Sequence, residues 1–232
     1  MKIELLRYTT DPEILCGTAA STSTRSGGPS KIFEKMNLEM AKRIIRRVTG
    51  YGHVSVIEHA SFSFCIEGVS RAMTHQLVRH RIASFTQQSQ RYVTYDTPKV
   101  YVVPPSVEEN EEAKKMFDKA LKVVSEMYNK LLTIGIPKED ARFILPNAAG
   151  TNIIVTMNGR ELRHFFNLRC CVRAQWEIRE AANEMLRQVK KVAPSLFEHA
   201  GPSCVELGYC PEGKMKPVEC NVTEIRRRYQ NL

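Results

Sequence analysis

The sequence predicts an α+β fold: a twisted, mostly antiparallel sheet with long helices packed on it. Three observations carry this expectation. Long windows repeat apolar residues at helical spacing, shorter ones alternate with period two, and capping or stop residues punctuate both kinds of window.

Residues 1–9 alternate weakly and end in Thr9-Thr10-Asp11-Pro12, which reads as a strand followed by a helix start. From Ser30 to Val48 the residues Ile32, Phe33, Met36, Met40, Ile44, Ile45 and Val48 form one apolar stripe, closed by Gly50. That pattern predicts a single amphipathic helix. Phe62, Phe64 and Ile66 alternate with Ser61, Ser63 and Cys65, the period of a half-buried strand. Ser70 is placed to cap a helix that runs to Arg79 and carries Gln76 and Arg79 on neighbouring turns.

Tyr92 to Tyr95 and Lys99 to Val103 read as two short strands around a turn at Asp96-Thr97-Pro98. Ser106 and Glu109 form a capping box that should open a long helix to Leu132, stopped by Gly135 and Pro137. A short helix is expected from Lys138 to Ile144 and a β-branched strand from Asn152 to Met157. Asn158 with Glu161 then opens a helix with Arg160 and His164 on one face. Ala174 to Val192 is the last long amphipathic helix. Residues 201–232, rich in glycine and proline, read as a loop-rich tail of a single domain spanning 1–232.

Thirty-four Lys plus Arg against 25 Asp plus Glu leave a formal charge of +9. Such a balance favours anionic partners: nucleic acid, an acidic membrane surface or phosphorylated small molecules. No apolar run approaches the roughly 18 residues of a membrane span, and Met1-Lys2-Ile3-Glu4 does not open a signal peptide. The expectation is a cytoplasmic protein that does not enter a membrane. Seven irregularly spaced cysteines then read as reduced thiols.

The stretch from Arg79 to Arg91 combines three arginines, a histidine, two serines and three glutamines. Arginine offers a planar, permanently charged fork that suits phosphate, while serine and glutamine add directional hydrogen bonds. A solvated basic helix end is the plainer reading of the same residues. Three further polar segments stand out: Gly52 to His59, Arg142, and Asn158-Gly159-Arg160 through His164 to Arg169. A core cannot bury several unpaired guanidinium groups, so these must meet carboxylates, solvent or a bound anion.

Other clusters carry less. His53, Glu58 and His59 are too few for a metal site and read as capping or ligand-orienting groups. Cys204, Cys210 and Cys220 with His199 lack a Cys-x-x-Cys pair and read as thiols of the tail, so no metal is expected. Cys170 and Cys171 read as helix cysteines, and Arg226-Arg227-Arg228 as a solvated helix end.

Arg79-His80-Arg81, seven further residues and Ser89 resemble the signature of the flavin-dependent thymidylate synthases. The resemblance extends to Gly52-His53, Glu58-His59, Gln76, Arg142 to Pro146, Asn158 with Arg160, Asn167 to Arg169, and Ala174-Gln175. It spans roughly residues 1 to 200 in the expected order. It implies reductive methylation of dUMP to dTMP, with 5,10-methylenetetrahydrofolate as carbon donor and FAD, reduced by NADPH, as hydride source. It also implies a homotetramer with sites shared between subunits. All these ligands are anions, which accounts for the charge without nucleic acid.

The resemblance assigns FAD contacts to Ser55, Arg79, His80, Arg81, Gln87, Asn158, Gly159, Arg160 and His164. It assigns dUMP contacts to Gln76, Leu77, Val78, Arg79, Gln87, Gln88, Ser89, Gln90, Arg91, Arg142 and Arg169. Hydride attack on uracil needs electron density withdrawn from the ring, and Arg169 is the candidate for that catalytic role. Ser89 reads as a positioning donor rather than a nucleophile. Some family members carry Glu at the position of Gln87 and Asn at that of His164, and Gln87 cannot act as a base. The alternative is a nucleic-acid-binding module with Phe85, Tyr92 and Tyr95 as stacking groups. That reading leaves the ordered downstream motifs unaccounted for.

Overall fold

The computed structural model describes residues 1–94 and 101–232. Four strands form one sheet: β1 (Lys2–Tyr8), β2 (Ser61–Ser70), β3 (Ala83–Gln87) and β4 (Gly150–Asn158), in the order β1-β2-β4-β3. The antiparallel sheet and packed helices match the expected class. Alternation places the inner strands. Phe62, Phe64 and Ile66 of β2 are fully buried, as are Ile153, Val155 and Met157 of β4, while Ser63 and Thr156 pair their hydroxyls at 2.8 Å. Strand β3 was not expected: only Ala83 and Phe85 alternate with Ser84 and Thr86, and no residue of it is buried, so its period-two signal is short and weak.

The helices are α1 (Pro12–Thr22), α2 (Pro29–Lys35), α3 (Leu38–Gly50), α4 (Arg71–Leu77), α5 (Pro105–Glu108), α6 (Glu111–Thr133), α7 (Lys138–Ala141), α8 (Gly159–Arg169), α9 (Trp176–Val192), α10 (Ser203–Leu207) and α11 (Val222–Gln230). The helix expected from Ser30 to Val48 is two helices. The Asn37 side chain accepts from the Met40 amide at 2.9 Å and starts α3, yet Ile32, Met36 and Ala41 still share one apolar cluster. Similarly, the long helix α6 is opened not by Ser106 but by Asn110, which accepts from the Ala113 amide. Ser70 and Asn158 cap α4 and α8 as expected.

Tyr92 and Val93 donate their amides to the Ser89 carbonyl, so a turn replaces the start of the first short strand. Tyr95 and the turn at Asp96-Thr97-Pro98 lie outside the described residues, as do Lys99 and Val100. Tyr101 makes one isolated bridge to Ala149 instead of extending a strand. The tail is more structured than its composition suggests, since it holds α10, α11 and the 3-10 turn Gly213–Met215. Tyr229 of α11 is buried and its hydroxyl reaches Asn183 Oδ1 at 2.6 Å.

The chain divides into two compact units. The first comprises Met1–Lys2, Ile66–Arg79 and Thr86–Ile154, with a core of Tyr101, Leu121, Tyr128, Ala141 and Ala149. The second comprises Ile3–Cys65, His80–Phe85 and Val155–Leu232. Its core holds Phe62, Phe165, Phe166 and Phe197, with edge-on contacts of Phe62 and Phe166 to Phe197. The buried face of α9, from Ile178 to Val189, belongs to the same unit. No helix among the described residues is long and apolar enough to cross a membrane.

Candidate functional site

In the second unit, α8 carries a buried polar array. Asn158 accepts from the Glu161 amide at 2.9 Å and fixes the first turn. The Glu161 side chain, expected to complete a capping box, instead lies 3.1 Å from Nδ1 of His80. Both side chains are almost fully buried. Arg169, at the other end of α8, donates its Nε–H to Nε2 of His80 at 3.1 Å. A guanidinium can only donate, so Nε2 must present its lone pair and Nδ1 must carry the proton given to Glu161.

Burial, then the charges of Arg169 and His164, pushes the His80 pKa down to about 4. The imidazole is therefore neutral near pH 7. Burial likewise raises the Glu161 carboxyl and lowers the Arg169 guanidinium from their ordinary values. Phe165 packs edge-on against the His80 ring at 5.0 Å. The whole serves to hold one guanidinium in place, and Arg169 lines a cavity of about 450 Å³. Ligand atoms of His80, Glu161 and His164 converge within 4.8 Å. Because both His80 nitrogens are engaged, that imidazole has no lone pair left for a metal ion.

His80 was expected to contact FAD; in this chain its polar atoms face Glu161 and Arg169. Arg160, expected as an anion ligand, pairs with Glu58 at 2.6 Å. Gly159 opens α8 against the 3-10 turn Val54–His59, where an added Cβ would lie 2.7 Å from the Ile57 carbonyl oxygen. Arg81 and His164 are exposed. Ser55 lines a cavity of about 560 Å³ with Thr24, Arg25, Arg47 and His53. Arg25 and Arg47 escaped the sequence reading; the hydroxyl run from Ser21 to Thr24 beside Arg25 was the available signal.

The first unit gathers most of the residues assigned to dUMP. Gln87 Nε2 donates to the hydroxyls of Thr74 (3.0 Å) and Thr151 (3.3 Å). The Gln88 amide donates to the Asn152 carbonyl, and its Oε1 accepts from Asn152 Nδ2 at 3.2 Å. Ser89 Oγ accepts from the Arg91 amide, and Gln90 is buried. Arg91 pairs with the Glu139 carboxylate at 2.9 Å, while Arg142 donates to the Glu139 carbonyl at 3.1 Å. Glu139, unnoticed in the sequence, thus holds two residues expected to contact dUMP together. Gln76 Nε2 donates to the Ala72 carbonyl, and Val78 is exposed. The Leu77 side chain lies in the core, which leaves only its backbone for a ligand. Among the described residues, neither Arg79 nor Arg81 has a carboxylate partner, and both are exposed.

Residues 4–195 match the family model described as thymidylate synthase complementing protein. The chain belongs to the flavin-dependent thymidylate synthase family. The flavin-dependent thymidylate synthase of Geobacter sulfurreducens is 51% identical over 236 residues, covering 100% of this chain and 99% of that protein. That of Clostridium tetani is 46% identical and covers 93% and 92% of the two chains. Among solved structures, the flavin-dependent thymidylate synthase of Helicobacter pylori, complexed with FAD and dUMP, aligns with a TM-score of 0.70 at 26% identity. The alignment covers 87% of this chain and 100% of that one. A UMP/dUMP methylase from Streptomyces cacaoi, bound with 5-Br dUMP, aligns with a TM-score of 0.73 at 25% identity, covering 85% and 93%. Family membership of this kind removes the ground for the nucleic-acid-binding alternative.

Proposed function

We propose that this flavin-dependent thymidylate synthase methylates dUMP to dTMP, with 5,10-methylenetetrahydrofolate as carbon donor and NADPH as reductant of FAD. We further read residues 1–232 as one catalytic domain working as a cytoplasmic homotetramer. The observation that carries the chemistry is Arg169 held by the neutral His80, itself anchored on Glu161. FAD, when bound, supplies the hydride.

The residues present fit anionic ligands. Arg79 and Arg81 are exposed cations, and the cavity at Ser55 is lined by hydroxyls, two arginines and a histidine. In this reading Ser55, Arg79, Arg81, Gln87, Asn158, Gly159, Arg160 and His164 hold FAD, and His80 acts by orienting Arg169. Gln76, the backbone of Leu77 and Val78, Arg79, Gln87 to Arg91, Arg142 and Arg169 hold dUMP. Arg160 would exchange its Glu58 contact for a ligand phosphate.

Arg169 then stabilises negative charge on the pyrimidine as hydride arrives. A charge-assisted hydrogen bond is worth about 1.5–3 kcal/mol, or roughly one to two decades in rate if it strengthens only in the transition state. Neutral His80 suits this role, since a charged imidazolium would repel the guanidinium and offer it no lone pair.

The visible spectrum of the purified protein tests the reading. It should show bound flavin, and anaerobically reduced flavin should be reoxidised when dUMP and methylenetetrahydrofolate are added together. Protein that takes up no added FAD would overturn the proposal.

A further inference from the structure

Four of the seven cysteines line one cavity in the second unit. Cys171 follows the end of α8, Cys204 lies in α10, and Cys210 and Cys220 flank the turn Gly213–Met215; all four border the space of about 450 Å³. All are free thiols. Their sequence spacing contains no paired-cysteine motif, so only the fold gathers them. His199, the ligand the sequence would have grouped with the tail cysteines, lines a different cavity with Arg46 and Glu198. Cys170, adjacent to Cys171, is buried in the core.

We propose that Cys171, Cys204, Cys210 and Cys220 are the thiolate ligands of an iron–sulfur cluster of the four-iron type. Four cysteines on one cavity offer the donor set of a soft metal centre. Their spacing selects among such centres. A single tetrahedral zinc, with bonds of about 2.3 Å, draws its sulfurs to within roughly 4 Å of one another. Among the described residues, the only three potential metal ligands with donor atoms within 4.8 Å of one another are His80, Glu161 and His164. Among the described residues, no three of the cysteine sulfurs therefore lie within 4.8 Å of one another, wider than a single zinc holds its ligands and compatible with a polynuclear cluster.

The surroundings agree. Arg169 and Arg173 line the cavity, Arg173 paired with Glu212, and Lys216 donates to the Cys220 carbonyl at 2.8 Å. Of these, Arg173 is compensated by Glu212, and Lys216 is the cation that adds positive charge beside Cys220. On assembly each thiol gives its proton to solvent as its sulfur binds iron, with sulfide and equal parts of ferrous and ferric iron supplied from outside, so that no electron is added or removed. The centre would tie the tail to the end of α8, two positions beyond Arg169.

Metal analysis of the full-length protein, purified anaerobically, tests this. Iron, acid-labile sulfide and zinc are measured per chain, and FAD is quantified separately so that its presence or absence does not bear on the result. About four irons and four sulfides are expected, retained in Cys65→Ser and lost at least severalfold in Cys210→Ser and Cys220→Ser. Those two variants should also expose residues 201–232 to limited proteolysis. Protein without iron after anaerobic incubation with sulfide and equal parts of ferrous and ferric iron overturns the proposal. So does one zinc per chain without iron, or a disulfide among the four. If a variant fails to fold, the stoichiometry of the wild-type protein still decides.

Discussion

Arg169 donates its Nε–H to Nε2 of His80 across 3.1 Å, and that bond dictates which nitrogen of the buried imidazole carries the proton. Nδ1–H then points at Glu161, so three ionisable side chains form one ordered chain of donors and acceptors. Its cost and its benefit can both be measured.

His80→Ala leaves the Glu161 carboxyl buried without its partner and removes the acceptor that holds Arg169. Stability should fall by about 1–3 kcal/mol in urea denaturation. Turnover to dTMP should fall about tenfold or more, with FAD content kept. Unchanged turnover in a folded variant would remove the positioning role of His80.

Arg169→Ala should retain FAD and lose roughly one to two decades in kcat. Arg81→Ala should instead weaken FAD binding, because an exposed guanidinium contributes through phosphate rather than through the reaction. Titration of each apoprotein with FAD, beside single-turnover dTMP formation, separates the two. The same phenotype in both variants would contradict the division of roles.

His80 gives a stability that depends on pH with a definite sign. Its folded pKa of about 4 lies below the ordinary 6.5, so between these values the unfolded chain binds a proton that the folded chain does not. The contribution is fully present above pH 6.5 and is lost as pH falls through about 4. Its size is roughly 3 kcal/mol. Denaturation midpoints measured at intervals from neutral pH to pH 4 should fall steadily, and His80→Phe should flatten that slope. A slope that His80→Phe leaves unaltered would assign the effect to other groups.

Gln87→Glu reproduces a residue found in other family members, but Gln87 here donates to two threonine hydroxyls. Thr74 already gives its own proton to the Arg71 carbonyl. A carboxylate would force that proton to turn, so a loss of about 1 kcal/mol is expected. Chemical denaturation reads it directly, and a stabilised variant would show that the hydroxyls reorient freely.

Gly159→Ala would set a methyl 2.7 Å from the Ile57 carbonyl oxygen, which is backbone and cannot swing aside. The start of α8 must shift, at a cost of about 1–3 kcal/mol. Thermal unfolding should show the loss, together with weaker FAD retention. A variant as stable as the parent would mean that the turn Val54–His59 yields easily.

The local features were legible because they act over a few residues. Ser70 and Asn158 cap their helices within one turn, and the alternation of Phe62, Phe64 and Ile66 follows directly from the strand period. Strand β3 was hidden because Ala83 to Gln87 form it through backbone pairing, with an alternation limited to Ala83 and Phe85 and no fully buried side chain. The apolar stripe from Ile32 to Val48 concealed the break at Asn37, since two successive helices can feed one core cluster without interrupting its period.

The sequence by itself determined the family, the expected ligands, the positive charge and most of the helices, because motif order, composition and short-range periodicity are properties of the linear chain. Only the tertiary structure decided what those residues touch. It turned Glu161 from a helix-capping residue into the partner of His80, paired Arg160 with Glu58 and Arg91 with Glu139, and brought Cys171 to the cavity of the tail cysteines. Each pairing joins residues far apart along the chain. Burial sets its strength and chain closure its geometry, and neither is encoded within a local window.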